Sequence, residues 1–282
     1  MNNISLKLFR RLTMTQLIGA ICENGKKVIV LSDRMITTSD LTLAFEHEVP
    51  KAEIIANNAI ALTAGTIHEP EVIKSVREDF KGTHKPSIID IARKLSEHFS
   101  NTRLFRIRDE ILRRAGFNSL NEYYNSQGHL HDEVVLRLQR KIEEYRLDLH
   151  ILLAGVDSRA HLYYICDPGT WRSFDPLGFC CIGQGDRHAE PVFAFYNYTP
   201  SLKEQEVLYI AFEAKKRSEM AGGIGKQTDV WIIDEGGVYE VENETIKQLE
   251  EIFEDRNTST RRNRFDKRIL EMEIKRRKVE IP

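Results

Sequence analysis

Four residues near the start of the chain could share one reaction. Thr15 opens a short apolar run, Thr15-Gln-Leu-Ile-Gly-Ala-Ile-Cys22. Asp33 closes the next run, Lys27-Val-Ile-Val-Leu-Ser-Asp33, Lys51 opens another, and Gly65 ends Asn58-Ala-Ile-Ala-Leu-Thr-Ala-Gly65. A threonine hydroxyl is a weak nucleophile and needs a base beside it. If Thr15 is the first residue of the mature chain, its own α-amine supplies that base. A free α-amine titrates at about 7.7–8.0, so it can take and return a proton near neutral pH. A lysine ammonium close by lowers the pKa of hydroxyl and amine, and a buried aspartate pairs with that lysine and fixes it. A glycine N–H would stabilise the oxyanion of a tetrahedral intermediate. Each residue alone is ordinary: a Thr in a strand is usually structural, and an Asp or Lys at a strand end is usually solvated.

The elements needed to converge these residues are strands first. Glu23-Asn24-Gly25-Lys26 is a hairpin turn between the first two runs. Lys51–Ile55 and Asn58–Gly65 follow as strands. Apolar spacing then predicts helices over Glu69–Phe80 and Ser87–Phe99. Residues 100–147 are charged and read as a helical insertion with a break near Asn125–Gly128. Strands return at Leu149–Gly155, His161–Cys166 and Gly178–Ile182. A helix is predicted from Leu202 to Met220, then strands at Gln227–Ile233 and Val238–Val241. Strands and helices are segregated, which disfavours a parallel βαβ fold and suits two antiparallel sheets covered by helices.

The motifs carrying this order resemble the proteasome β-subunit type of N-terminal-nucleophile hydrolase. Thr15 with Gly19, the Asn24-Gly25 turn and Val-Ile-Val-Leu-Ser-Asp33-Arg34 resemble the family's mature start. Val49-Pro-Lys51-Ala-Glu-Ile is similar to its lysine strand, and Ala59–Gly65 to its oxyanion strand. Leu152–Asp157, His161–Gly169, Cys181-Ile-Gly183-Gln-Gly185, Ala221-Gly222-Gly223 and the strand holding Asp229–Ile233 follow in the family's order. The resemblance covers about residues 15–241, leaving out 100–147.

It implies an α+β fold, a four-layer αββα sandwich of two antiparallel sheets between helical layers. It implies Thr15 as nucleophile and its amine as base, with Asp33 and Lys51 as the supporting pair and the Gly65 amide as oxyanion donor. Family positions that orient the amine fall here on Asp186, Ser218 and Ala221, next to Gly222. Ser218 and Ala221 depart from the family's Asp and Ser, and Glu219 is a substitute for the first. The expected activity is threonine-type peptide or amide hydrolysis through an acyl-enzyme. The same acyl-enzyme would serve a transpeptidase or ligase, and an inactive scaffold subunit is a further alternative. Peptide or protein is the expected substrate, no cofactor is called for, and assembly into a homo-oligomer or ring is in keeping with the family.

Residues 1–14 are read as a leader or a mis-assigned start. Self-cleaving relatives carry Gly before the threonine, whereas Met14 suggests translation from Met14 and ordinary removal of that methionine. Residues 242–282 read as a charged helical tail with a weak apolar stripe at Ile269, Met272 and Ile274. A formal net charge of -2 argues against nucleic acid as the main partner. No apolar run approaches a membrane span, and the first residues lack the apolar core of a secretory signal, so a cytoplasmic setting is expected. Cys22, Cys166, Cys180 and Cys181 read as core thiols of a reducing compartment. Gly222-Gly-Ile-Gly-Lys226 lacks the Ser or Thr that a phosphate loop needs after its lysine, since Gln227 stands there. The histidines show no metal-ligand spacing.

Overall fold

The computed structural model describes residues 15–37, 44–47, 50–65, 70–258 and 267–279. The first two apolar runs form β1 (Gln16–Cys22) and β2 (Lys27–Asp33), paired antiparallel with Leu17 opposite Ser32 and Cys22 opposite Lys27. Their turn needs three successive positive φ values, 52° at Glu23, 57° at Asn24 and 83° at Gly25. Asn and Gly reach that region at low cost. Both strands are buried on both faces, which is why they read as continuous apolar runs rather than alternating ones.

A two-stranded ribbon follows, β3 (Met35–Thr37) and β4 (Ala44–Glu46). Then come β5 (Ala52–Ala56), β6 (Ala59–Gly65), α1 (Pro70–Asp79) and α2 (Ile88–Ile107). The central segment supplies α3 (Leu120–Ser126) and α4 (Asp132–Glu144). Strands β7 (Leu149–Val156), β8 (Ala160–Cys166), β9 (Thr170–Ser173) and β10 (Phe179–Gly183) lead into α5 (Asp186–Phe195) and α6 (Glu204–Ser218). The chain continues through β11 (Thr228–Asp234), β12 (Gly237–Val241), α7 (Asn243–Thr258), α8 (Lys267–Leu270) and β13 (Arg276–Lys278).

The strands form a six-stranded sheet in the order β10-β1-β2-β11-β12-β13 and a five-stranded sheet β5-β6-β7-β8-β9. Their pairings are antiparallel. The protein is therefore a mixed α+β fold with two antiparallel sheets, as the segregated element order predicts.

Three apolar clusters follow from the two-residue period of the strands. Leu17, Val28, Val30 and Trp231 of the larger sheet pack with Ile60, Leu62, Leu152 and Leu162 of the smaller one. Their neighbours Ile18, Ile29, Leu31 and Val230 pack with Phe193, Leu208, Phe212 and Leu249 from α5, α6 and α7. Ala61, Ile151 and Leu153 pack with Val72 and Val76 of α1 and with Ile91, Leu95 and Phe99 of α2. Each such buried aliphatic side chain contributes about 1.5–3 kcal/mol. Gly19 marks a close approach between sheets: a Cβ there would lie 2.6 Å from the Leu162 side chain.

Two segments differ from the sequence expectation. Helix α2 runs on past Phe99 to Ile107, so residues 100–147 start as its continuation. Ile107, Leu112, Tyr123, Leu138 and Ile142 then build a small core of their own. Beyond residue 241, Leu249, Ile252, Ile269 and Met272 join the cluster under α6, and β13 extends the larger sheet beside β12. The weak apolar stripe thus packs onto the body. No helix among the described residues is long and apolar enough to cross a membrane.

Candidate active site

Thr15 stands immediately before β1 and is 5% exposed. Its carbonyl accepts from the Gln184 N–H at 3.2 Å, tying it to the end of β10. Gly183, at the end of β10, is at φ +126°, and a Cβ there would lie 1.8 Å from the Thr15 carbonyl oxygen. The chain can pass this close only because position 183 has no side chain.

Strand β2 delivers Asp33 to the neighbouring position, fully buried. A buried carboxylate is stable only if its oxygens are hydrogen-bonded and its charge is met. Oδ1 accepts from the Gln16 N–H at 2.9 Å and from Lys51 Nζ at 2.9 Å. Oδ2 accepts from the Met35 and Gly225 N–H groups, each at 3.0 Å. Lys51, just before β5, also donates from Nζ to Thr15 Oγ1 at 2.9 Å. One ammonium therefore bridges the hydroxyl and the buried carboxylate. Burial pulls the Lys51 ammonium below the ordinary lysine range, and Asp33 offsets part of that pull.

Next to Asp33, Arg34 donates from Nε to both oxygens of Asp229, at 2.9 and 2.8 Å. Asp229 lies on β11 opposite Ser32, so this pair fastens the end of β2 to its neighbour. Gly65 ends β6, opposite Leu149 on β7. Its φ is +118°, and a Cβ would lie 1.8 Å from the Asp148 carbonyl oxygen, so this position also requires glycine. The link from β6 to the lysine is the Thr63 N–H, which donates to the Lys51 carbonyl at 2.9 Å.

The structure brings Thr15, Asp33 and Lys51 into one hydrogen-bonded chain. Gly65 sits on the strand that pairs with Lys51's strand and makes no hydrogen bond to Thr15 among the described residues. The remaining expected residues turn elsewhere. Asp186 opens α5, and its Oδ1 accepts from the Arg187 N–H at 2.6 Å. Ser218 is buried, but its hydroxyl donates back to the Lys215 carbonyl at 2.6 Å. Glu219 is taken by two lysines, Lys215 Nζ at 2.6 Å and Lys216 Nζ at 3.1 Å. Gly222 is exposed, and open space surrounds its Cβ position. Three groups that sequence reasoning missed, the N–H donors of Gln16, Met35 and Gly225, hold Asp33. The first two are sequence neighbours of Thr15 and Asp33, whereas nothing in the spacing points to the third.

Two of the four thiols, Cys22 and Cys180, fit a core role, and Cys166 and Cys181 are half-buried. Cys22 and Cys180 are buried, and burial pushes both thiols well above the ordinary range. The four cysteines are free of disulfides. No protein-family model matches the chain, and no curated protein matches it either.

Proposed function

We propose that the protein is a threonine-type N-terminal-nucleophile hydrolase acting on a peptide or related amide. The observation that carries this reading is the Lys51 ammonium at 2.9 Å from both Thr15 Oγ1 and Asp33 Oδ1. A lysine buried to this degree and shared with a hydroxyl has a clear chemical use: it stabilises the hydroxyl oxygen as that oxygen gains negative charge. In this reading the two sheets and their helices form a four-layer αββα sandwich. One apolar cluster between the sheets and one under each helical set support it.

The reaction needs Thr15 at the chain's N-terminus. Its α-amine takes the proton from Oγ1, and Oγ1 bonds to the substrate carbonyl carbon. The carbonyl oxygen becomes an oxyanion, for which the Gly65 N–H is the proposed donor. The amine then gives its proton to the leaving nitrogen as the C–N bond breaks, leaving an ester on Thr15. Water, activated by the same amine, repeats the sequence and frees the acid. A second amine in place of water would make the protein a transpeptidase.

The reading is tested on protein produced from Met14, so that methionine removal exposes Thr15, with an alkyl β-lactone as probe. Ring opening transfers the acyl group to Oγ1 and converts the ring oxygen to a hydroxyl, so intact mass rises by the whole lactone. The parent is expected to gain one lactone on Thr15, and Thr15→Ala none. Equal labelling of the two proteins rejects the proposal.

The acylation rate is expected to be bell-shaped in pH. Its rising limb reports loss of the amine proton, which a free α-amine releases at about 7.7–8.0. Its falling limb reports loss of the Lys51 proton, below the ordinary lysine value of about 10.4 because burial disfavours the charged form. A rate that stays flat beyond about pH 10.4 would show that the Lys51 charge takes no part.

A further inference from the structure

Lys215 is fully buried near the end of α6, and the proposed acyl chemistry does not use it. A lysine is almost never buried unless its charge has fixed partners. Its ammonium donates to Glu219 Oε1 at 2.6 Å and to the Lys226 carbonyl at 2.7 Å. That carbonyl belongs to the turn whose Gly225 N–H donates to Asp33 Oδ2 at 3.0 Å. A second group grips the same turn. Glu46, at the end of β4, accepts at Oε1 from the Lys226 N–H and, at 2.9 Å, from the Gln227 N–H. Gly225 is packed tightly against Met35 and Glu46, since a Cβ there would lie 2.9 Å from both the Met35 nitrogen and Glu46 Oε1. Side-chain packing does not hold the outer side of the turn. Lys226 and Gln227 border a cavity of about 400 Å³ that Arg34, Phe212 and Thr228 also line.

We propose that Lys215 and Glu46 are positioning residues that clamp the 225–227 turn from α6 and β4. The clamp keeps the Gly225 N–H on Asp33, and Asp33 keeps the Lys51 ammonium on Thr15. Its kinetic consequence rests on the threonine-nucleophile reading. Its structural half stands apart from that reading, because it concerns only the Gly225 hydrogen bond. A shift of about 1 Å in a group that orients reacting atoms costs on the order of 100-fold in rate. Three hydrogen bonds, Gly225 to Asp33, Lys51 to Asp33 and Lys51 to Thr15, separate the clamped turn from the hydroxyl, so a loss of about 10–100-fold is expected.

The test measures the maximal β-lactone acylation rate and the half-saturating lactone concentration, on variants checked for folding by circular dichroism. Lys215→Met and Glu46→Ala are each expected to lower the maximal rate and leave half-saturation within about twofold. Glu46→Gln retains an acceptor oxygen for both N–H groups and is expected to keep the parental rate. The double variant Lys215→Met/Glu46→Ala should lose less than the product of the single losses, because the turn is already released. A folded Lys215→Met that acylates at the parental rate overturns the proposal. Should Lys215→Met not fold, the comparison at the exposed position 46 decides: equal rates for Ala and Gln overturn it. Should the parent itself take no label, the nucleophile reading fails, and hydrogen exchange of the Gly225 amide tests the clamp. Faster exchange in Lys215→Met or Glu46→Ala supports the clamp, and unchanged exchange overturns it.

Discussion

Lys51→Met is expected to lower the acylation rate of Thr15 by about 1,000-fold and to cost about 3 kcal/mol of stability. The two effects have separate causes. The rate falls because the ammonium 2.9 Å from Oγ1 stabilises the oxygen that must become nucleophilic. Methionine fills similar volume without it. Stability falls because the fully buried Asp33 carboxylate loses its counter-charge. Removing one partner of a buried pair costs about 3–5 kcal/mol, and the lower end applies here because three backbone N–H groups stay on the carboxylate. Asp33→Leu is expected to be the more destabilising change. It strands the Gln16, Met35 and Gly225 N–H groups together, at about 1–3 kcal/mol for each one left unsatisfied. Urea midpoints rank the two variants, and lactone labelling gives the rates. A folded Lys51→Met that labels within tenfold of the parent would remove Lys51 from the chemistry.

Much of this arrangement is legible in the sequence. The stretches Leu17–Cys22 and Val28–Leu31 are apolar at every position because strands packed on both faces offer no polar side, and Asn24-Gly25 marks the turn between them. Thr15, Asp33 and Lys51 each sit at a strand end, and the family resemblance is what picks them from many similar residues. The supporting residues were less legible, because spacing locates a backbone and not the direction of a side chain. Ser218 is buried, yet its hydroxyl satisfies a carbonyl of its own helix, a common use of serine near a helix end. Glu219 has lysines three and four residues before it, which are its neighbours on one helical face and claim its carboxylate. The clamp was invisible for a different reason. Glu46, Lys215 and the 225–227 turn are far apart in sequence, and a buried lysine carries the same letter as a solvated one. The charged composition beyond residue 241 likewise hid Leu249 and Ile252, and the stripe at Ile269 and Met272 was visible without showing that it docks under α6.

The second large effect is expected at a glycine. Gly183→Ala should cost about 3–5 kcal/mol and slow acylation of Thr15 at least 100-fold, while Gly25→Ala should cost about 1 kcal/mol and leave the rate unchanged. Both glycines have positive φ, +126° and +83°, so backbone preference alone predicts a modest loss at each. The surroundings separate them. Nothing lies within 4 Å of a Cβ at Gly25, so only the conformational penalty applies. At Gly183 the added carbon would sit 1.8 Å from the Thr15 carbonyl oxygen, less than any non-bonded contact allows. A carbonyl cannot rotate aside as a flexible side chain can, so the backbone at the nucleophile must move. That movement breaks the Gln184 N–H bond to the same oxygen and shifts Oγ1 away from the Lys51 ammonium. Stability and rate should therefore fall together at Gly183 and part company at Gly25. Equal unfolding midpoints for the two variants would mean that the strand end at 183 yields to a side chain and does not fix Thr15 in place.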